Sequence, residues 1–236
     1  MVTMTDNDGR RIGDMTYEEK KQKLQKQMLV YAQGDMLVAF SGGVDSSLIL
    51  KLAVQAAAKT GHKVYGIMVH TMLHPMGEVE DARVTAEQIG AEFRVLEIDE
   101  LQGADILDNP VDRCYRCKKY LFHNLIEEGK KLGVSAMMEG TNEDDLHVYR
   151  PGLRAIRELG IHSPLAEAGM TKAEVRKLAG ELGISVSNKP SMPCLATRFP
   201  YGTRISYEAM QKVDEGEAFV RSLGFYNVRL RIHNDV

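Results

Sequence analysis

A chain of 236 residues is long enough for one sizeable domain with an appendage and for a substantial buried core. Its 44% hydrophobic and 27% charged residues are the balance of a soluble globular protein, and a net charge of −3 gives no global pull toward nucleic acid. No apolar run approaches a membrane span, since even residues 48–54 are broken by Lys51, and residues 1–14 carry no apolar signal core, so a cytoplasmic location is the default expectation. Three cysteines do not make a disulfide framework here; they point to metal binding, reactivity or plain core filling.

Residues 1–15 read as a flexible leader. Thr16 with Glu19 forms a capping box for a helix through about Tyr31, with Leu24, Met28 and Tyr31 on one face. The apolar run 36–40 then enters Ser41-Gly42-Gly43-Val44-Asp45-Ser46-Ser47, which predicts a buried strand, a glycine turn and a helix. In open α/β sheets such a loop, at the carboxyl end of a strand, is where ligands bind. Gly42 and Gly43 carry no Cβ and tolerate positive φ, so backbone N–H groups can converge on an anion at the positive end of the following helix. Ser41, Ser46 and Ser47 add hydroxyl donors, and Asp45 is suited to magnesium. The chemistry indicated is nucleotide phosphate binding. The loop is not a Walker A motif, because it lacks the Gly-Lys-Ser/Thr ending.

Residues 63–69 read as a second strand, 78–89 as a helix that Gly90 stops, and 93–98 as a third strand. This alternation implies βαβ crossovers and a doubly wound parallel sheet with helices on both faces. The strand ends would bring His70 and Thr71 near the nucleotide. After a loop over 99–112, Cys114-Tyr115-Arg116-Cys117 opens a helix that continues through 118–131, and 135–139 is a short strand. The polar turn Gly140-Thr141-Asn142-Glu143-Asp144-Asp145 then faces the same crevice as the phosphate loop, and Arg150 precedes the next helix with a guanidinium suited to an anionic group. Thr171 with Glu174 is a second capping box, for a helix ending near Gly183. Residues 184–204 have no period and contain Pro190, Pro193 and Pro200; irregular segments of that length are often functional. Ser206 caps a helix to about Leu223, and 227–232 alternates as a strand with no partner hairpin after it, so a missing C-terminal piece is expected.

Cys114 and Cys117 lie three apart at a helix start, so both sulfurs share a face and the helix dipole favours their thiolates. Together with Cys194 in the irregular loop they could hold a zinc with a fourth ligand, or an iron–sulfur cluster with one iron open; small apolar side chains packed inside is the plain alternative.

The Ser-Gly-Gly-Val-Asp-Ser stretch resembles the signature of the PP-loop ATP pyrophosphatases, which cleave ATP between its α and β phosphates. More specifically, Asp112-Arg113-Cys114-Tyr115-Arg116-Cys117-Lys118-Lys119, Glu139 to Asp145, Tyr149-Arg150-Pro151-Gly152-Leu153-Arg154 and Cys194-Leu195-Ala196-Thr197-Arg198-Phe199-Pro200-Tyr201-Gly202-Thr203 resemble the LarE family of ATP-dependent sulfur transferases. The likeness runs from about Ser41 to Ile232. It implies an adenine nucleotide alpha-hydrolase-like domain over 16–185, followed over 186–236 by a sulfur-transfer loop and a small C-terminal α+β element.

The resemblance also implies a reaction. ATP with Mg2+ adenylates a carboxylate of a pyridinium-3,5-biscarboxylic acid mononucleotide, and sulfur displaces AMP to leave a thiocarboxylate. The product feeds the nickel-pincer cofactor of lactate racemase. Cys194 and Asp45 are the implied catalytic residues. Three-cysteine members hold a [4Fe-4S] cluster, here on Cys114, Cys117 and Cys194; one-cysteine members sacrifice the loop cysteine instead. By approximate position Glu217, Arg229 and Arg231 would line a phosphate pocket between subunits of a homo-oligomer. The alternatives are the same reaction without a cluster, with Cys194 consumed and the Cys114–Cys117 pair incidental, a PP-loop tRNA thiolase, disfavoured by the acidic charge, an amide-forming synthetase, which leaves the cysteines unexplained, and a nucleotide-binding sensor.

Overall fold

The computed structural model describes residues 15–74, 77–187, 194–225 and 227–233. Four parallel strands, β1 (Met36–Ala39), β2 (Val64–His70), β3 (Glu92–Glu97) and β4 (Ala136–Met138), form one sheet in the order β3-β2-β1-β4. Leu37 pairs with Tyr65 on one side and Met137 on the other, so β1 has a neighbour on each edge. Its backbone groups are satisfied within the sheet and its side chains are free to be wholly apolar.

Alternation along β1 divides the core. Met36 and Val38 pack with Leu24 and Met28 of α1 (Tyr17–Tyr31), Leu48 and Ile49 of α2 (Val44–Thr60) and Leu178 of α8 (Lys172–Glu181). Leu37, between them, points the other way, to Tyr65, Ile67, and Phe122 and Leu125 of α5 (Arg113–Leu132), with Ile156 of α6 (Gly152–Glu158). The two faces are thus covered by different helices, which is the doubly wound arrangement. Each fully buried leucine here is worth about 1.5–3 kcal/mol of transfer free energy.

The helix starts follow local chemistry. Thr16 Oγ1 accepts the Glu19 N–H while the Glu19 carboxylate accepts the Thr16 N–H, and Thr171 with Glu174 repeats the arrangement at α8. The helix α3 (Glu78–Ile89) ends at Gly90, whose φ of 86° is open to glycine at little cost. The short helix α4 (Glu100–Gly103) packs on α5, and α7 (Pro164–Glu167) on α1 and α2.

The last helix, α9 (Tyr207–Ser222), packs with Leu101, Ala104 and Ile106 from the segment after β3, and with Leu195, Ala196 and Phe199 of a 3-10 turn over Leu195–Arg198. The strand expected over 227–232 does not form. Its donors go elsewhere: the Leu230 N–H to the Glu217 carboxylate at 3.0 Å and the Ile232 N–H to the Arg198 carbonyl at 2.8 Å, so no strand neighbour is engaged. The expected leader through residue 14, and 188–193 of the irregular segment, lie outside the described residues. Among the described residues, no helix is long and apolar enough to cross a membrane.

Candidate active site

The carboxyl ends of β1, β2 and β4 open onto one cavity of about 710 Å³. Ser41, Gly43, Asp45 and Ser46 line one wall, Gly140 to Asn142, Asp144 and Asp145 a second, and Ile67, Met68, Val69, Phe122 and Leu125 an apolar third. The volume suits a nucleotide, with a polar end for phosphates and an apolar slot for a base.

Gly42 has φ 68°, and a Cβ there would stand 3.1 Å from that of Ala82, so the turn is closed to other residues on both counts. Ser46 Oγ accepts the Ser41 N–H at 3.2 Å, lies 3.1 Å from Ser41 Oγ and donates to the Gly43 carbonyl. The loop is therefore shaped before any anion arrives. Gly42 and Ser47 sit behind the lining; Ser47 is fully buried and its Oγ has no hydrogen-bond partner among the described residues.

Asp45 is held from two sides: its carboxylate accepts from Asn142 Nδ2 at 3.3 Å and forms a close ion pair with Lys172 Nζ. Lys172 also lines the cavity, and no sequence pattern singled it out; it stands one residue past the Thr171 cap. Gly140 is pressed against this group, since a Cβ would fall 2.9 Å from the Ser46 nitrogen. Buried Glu139 fixes the turn by accepting from the Thr141 N–H, Thr141 Oγ1 and Ser163 Oγ at 3.0, 2.8 and 2.6 Å. Asp145 accepts the Asn142 N–H at 3.2 Å and pairs with Arg150 at 3.0 Å. Arg150 thus belongs to the cavity as expected from its place in the chain, already oriented.

His70 is not part of the lining, and Thr71 is buried with its hydroxyl 3.2 Å from His74 Nδ1. His74 faces the cavity instead. Burial pushes its pKa down to about 4, so the imidazole is neutral at physiological pH.

The three cysteines are divided between the cavity and a neighbouring core cluster. Cys114 lines the cavity and is exposed, while Cys117 and Cys194 pack against the cluster around Leu101 and Leu195. Burial pushes Cys117 up to about 12, with the nearness of Cys194 and Glu100 adding to it, and burial likewise raises Cys194. Among the described residues, no group of three or more His, Cys, Asp or Glu is gathered tightly enough for a single metal ion.

What holds Cys194 in place was not evident from sequence. Leu195 N–H donates to the Leu73 carbonyl at 3.0 Å. Buried Arg113 donates from Nη1 to the Ala196 carbonyl at 3.0 Å and to Asn109 Oδ1, and its guanidinium lies 5.0 Å from the Tyr201 ring. Asn109 is wholly buried in the left-handed region at φ 47°, and its Nδ2 reaches the Phe199 and Pro200 carbonyls. Arg198 is clamped by Glu217 through two bonds of 2.7 and 2.9 Å, both side chains at most 1% exposed, and its Nη1 also donates to the Cys194 carbonyl. Glu217 is therefore engaged inside the C-terminal element. Neither Glu217, Arg229 nor Arg231 lines the cavity; Arg231 is exposed and Arg229 donates to the Val228 carbonyl.

A parallel α/β sheet with a pre-shaped Ser-Gly-Gly loop at the carboxyl end of its central strand defines a nucleotide-binding enzyme of the PP-loop class, and a PP-loop domain model matches residues 14–120. The chain is 37% identical over 214 residues, 89% of its length and 77% of the relative's, to pyridinium-3,5-bisthiocarboxylic acid mononucleotide synthase of Lactiplantibacillus plantarum. It is 38% identical over 195 residues to an uncharacterized protein of Synechocystis sp., spanning 83% of this chain and 72% of that one. A tRNA-specific 2-thiouridylase of Rickettsia massiliae is more distant, at 28% over 67% of this chain and 52% of the relative. The chain belongs to the LarE family of ATP-dependent sulfur transferases.

Proposed function

We propose that this enzyme adenylates a carboxylate of a pyridinium-3,5-dicarboxylic acid mononucleotide and replaces a carboxylate oxygen with sulfur, on the way to a nickel-pincer nucleotide cofactor of the kind lactate racemase uses. The observation that carries the reading is one cavity lined by both the phosphate loop and Cys114, in a chain so similar to a synthase of the bisthiocarboxylic product. It acts in the cytoplasm on a small molecule.

ATP sits with its phosphates on the Ser41–Ser46 amides and hydroxyls and its base in the slot of Ile67, Val69, Phe122 and Leu125. A substrate carboxylate oxygen attacks the α-phosphorus. The bond to the bridging oxygen breaks, and pyrophosphate leaves with the electron pair. Asp45 would hold Mg2+ there, an ion that would offset the charge building on pyrophosphate, and Lys172, which lines the same cavity, offers its ammonium to the leaving pyrophosphate. A carboxylate is a poor electrophile; the acyl-adenylate gives sulfur an AMP leaving group, and the carbonyl C–O bond to AMP breaks as the C–S bond forms.

Two thiols on one helix start and a third beside the 3-10 turn are the donor types of a [4Fe-4S] cluster with one open iron. Cys117 and Cys194 with raised pKa values are poor free nucleophiles at neutral pH, whereas metal draws off a thiol proton. When bound, such a cluster supplies a sulfide for transfer; Cys114, Cys117 and Cys194 hold it. Arg229 and Arg231, away from the cavity, serve a phosphate pocket completed by a second subunit, with Glu217 as its buried support.

The test is iron and acid-labile sulfide content after anaerobic reconstitution of the wild type and the Cys114→Ala, Cys117→Ala and Cys194→Ala variants, with pyrophosphate release assayed on the mononucleotide. About four irons in the wild type, lost in each variant, are expected. Full turnover by a protein without iron, with Cys194 lighter by the mass of one hydrogen sulfide molecule, refutes the cluster route in favour of a sacrificed cysteine.

A further inference from the structure

Between the phosphate loop and the cysteines runs one continuous bridge. Asp45 is bonded to Asn142, Asn142 to Asp145 and Asp145 to Arg150. Two residues on, the Gly152 backbone lies against α5, where a Cβ would meet the Cys114 carbonyl at 3.5 Å and the Lys118 side chain at 3.4 Å. Residues 148–152 therefore connect the polar wall that holds Asp45 to the start of α5, where Cys114 stands. In the middle of this bridge Tyr149 lines the cavity mouth with 89% of its surface exposed, and no hydrogen bond or ring contact engages it among the described residues. Val148 beside it is also exposed, so the rim carries apolar surface that folding does not need.

We propose that the Tyr149 ring is the stacking platform for the cationic heteroaromatic ring of the substrate, holding it over the cavity mouth while its carboxylate meets ATP and then sulfur. This rests on the mononucleotide reading above. An aromatic face carries negative quadrupole density and attracts a flat cation. Arg150 next to it is pinned by Asp145, and so it leaves the Tyr149 face free while offering its outer N–H groups to a second carboxylate. A ring on the surface costs little to fold and is freely substituted, which makes the contact separable from stability.

Steady-state pyrophosphate release is measured on the full chain against mononucleotide and against ATP, for the wild type, Tyr149→Phe and Tyr149→Leu. The Leu variant should raise KM for the mononucleotide about 2- to 5-fold, the range of a cation–π contact at an exposed ring, with KM for ATP unchanged within about 1.5-fold. The Phe variant should stay within about 1.5-fold of wild type. As competitive inhibitors, nicotinamide mononucleotide, whose ring is cationic, should lose affinity in the Leu variant, while its neutral dihydro form should not. A Leu variant with unchanged KM for the mononucleotide, or equal losses for both inhibitors, overturns the platform. A wild type that releases no pyrophosphate with this substrate overturns the function itself, a result distinct from either.

Discussion

Replacing Glu217 by Ala strands the Arg198 guanidinium in a site where its side chain is 1% exposed. The intact pair has two bonds of 2.7 and 2.9 Å, and the carboxylate also takes the Leu230 N–H at 3.0 Å. Removing one partner of such a pair costs about 3–5 kcal/mol, because the other charge remains buried. Against a total of about 5–15 kcal/mol this is a large fraction of the stability. For a chain of this size it corresponds to a fall in Tm of about 6–20 °C. The same substitution loosens Arg198, which donates to the Cys194 carbonyl and to Thr197 Oγ1. Cys194 alkylation by iodoacetamide should then accelerate at denaturant concentrations where the wild type is still folded. Urea melts followed by circular dichroism give the first quantity and timed mass spectra the second. Replacing both residues together, as Arg198→Met with Glu217→Leu, should recover most of the loss. A Glu217→Ala protein within about 1 kcal/mol of wild type, or a double variant no better than the single one, refutes the claim that this pair holds the turn.

The same pair sets an acid dependence. Burial pushes the Glu217 carboxyl up, but Arg198, the Leu230 amide and Arg221 outweigh it and hold its pKa below the ordinary value, so its stabilisation is full above the unfolded carboxylate range and is lost as pH falls through the lower folded value; urea midpoints in Glu217→Gln should vary less over that window than in wild type. Cys117 runs in the opposite sense: a thiol pushed up from 9.0 to about 12 stabilises the fold below pH 9 and ceases to as pH rises toward 12, and alkylation of Cys117 in the metal-free protein should lag that of exposed Cys114 across neutral pH. Equal labelling rates would contradict this placement. Asp45→Asn should lower pyrophosphate release at least about 100-fold without changing Tm by more than a few degrees, because it removes the metal-holding charge and leaves the shape of the loop. Gly140→Ala drives a methyl to 2.9 Å from the Ser46 nitrogen, and should raise KM for ATP while leaving binding at the cysteines intact, as read by iron content.

Local chemistry accounts for what was legible beforehand. The β1 run, the Ser-Gly-Gly turn and α2 follow one another in sequence, and both capping boxes and the Glu78–Ile89 helix with its Gly90 stop are decided within a few residues. The groups that hold the site together are far apart in the chain. Arg113 reaches the Ala196 carbonyl, Lys172 reaches Asp45 and Arg198 reaches Glu217; each looks like an ordinary surface charge until the fold excludes water from it. Asn109 gave a turn signal beside Pro110 but no sign that its amide would carry two carbonyls of the cysteine loop. The alternation over 227–232 misled because period two describes any extended backbone, and here the Glu217 carboxylate and the Arg198 carbonyl accept donors that a sheet would have taken.

The bond from Leu195 N–H to the Leu73 carbonyl joins the cysteine turn to the segment that leaves β2, and β2 is the strand next to β1. The turn that carries Cys194 and the phosphate loop therefore share a foundation in adjacent strands, two pillars on one slab. A change in the spacing of those strands would move the cysteine turn and the phosphate loop in concert, so the separation of the two is set by the paired strands and not by the wandering of a loop.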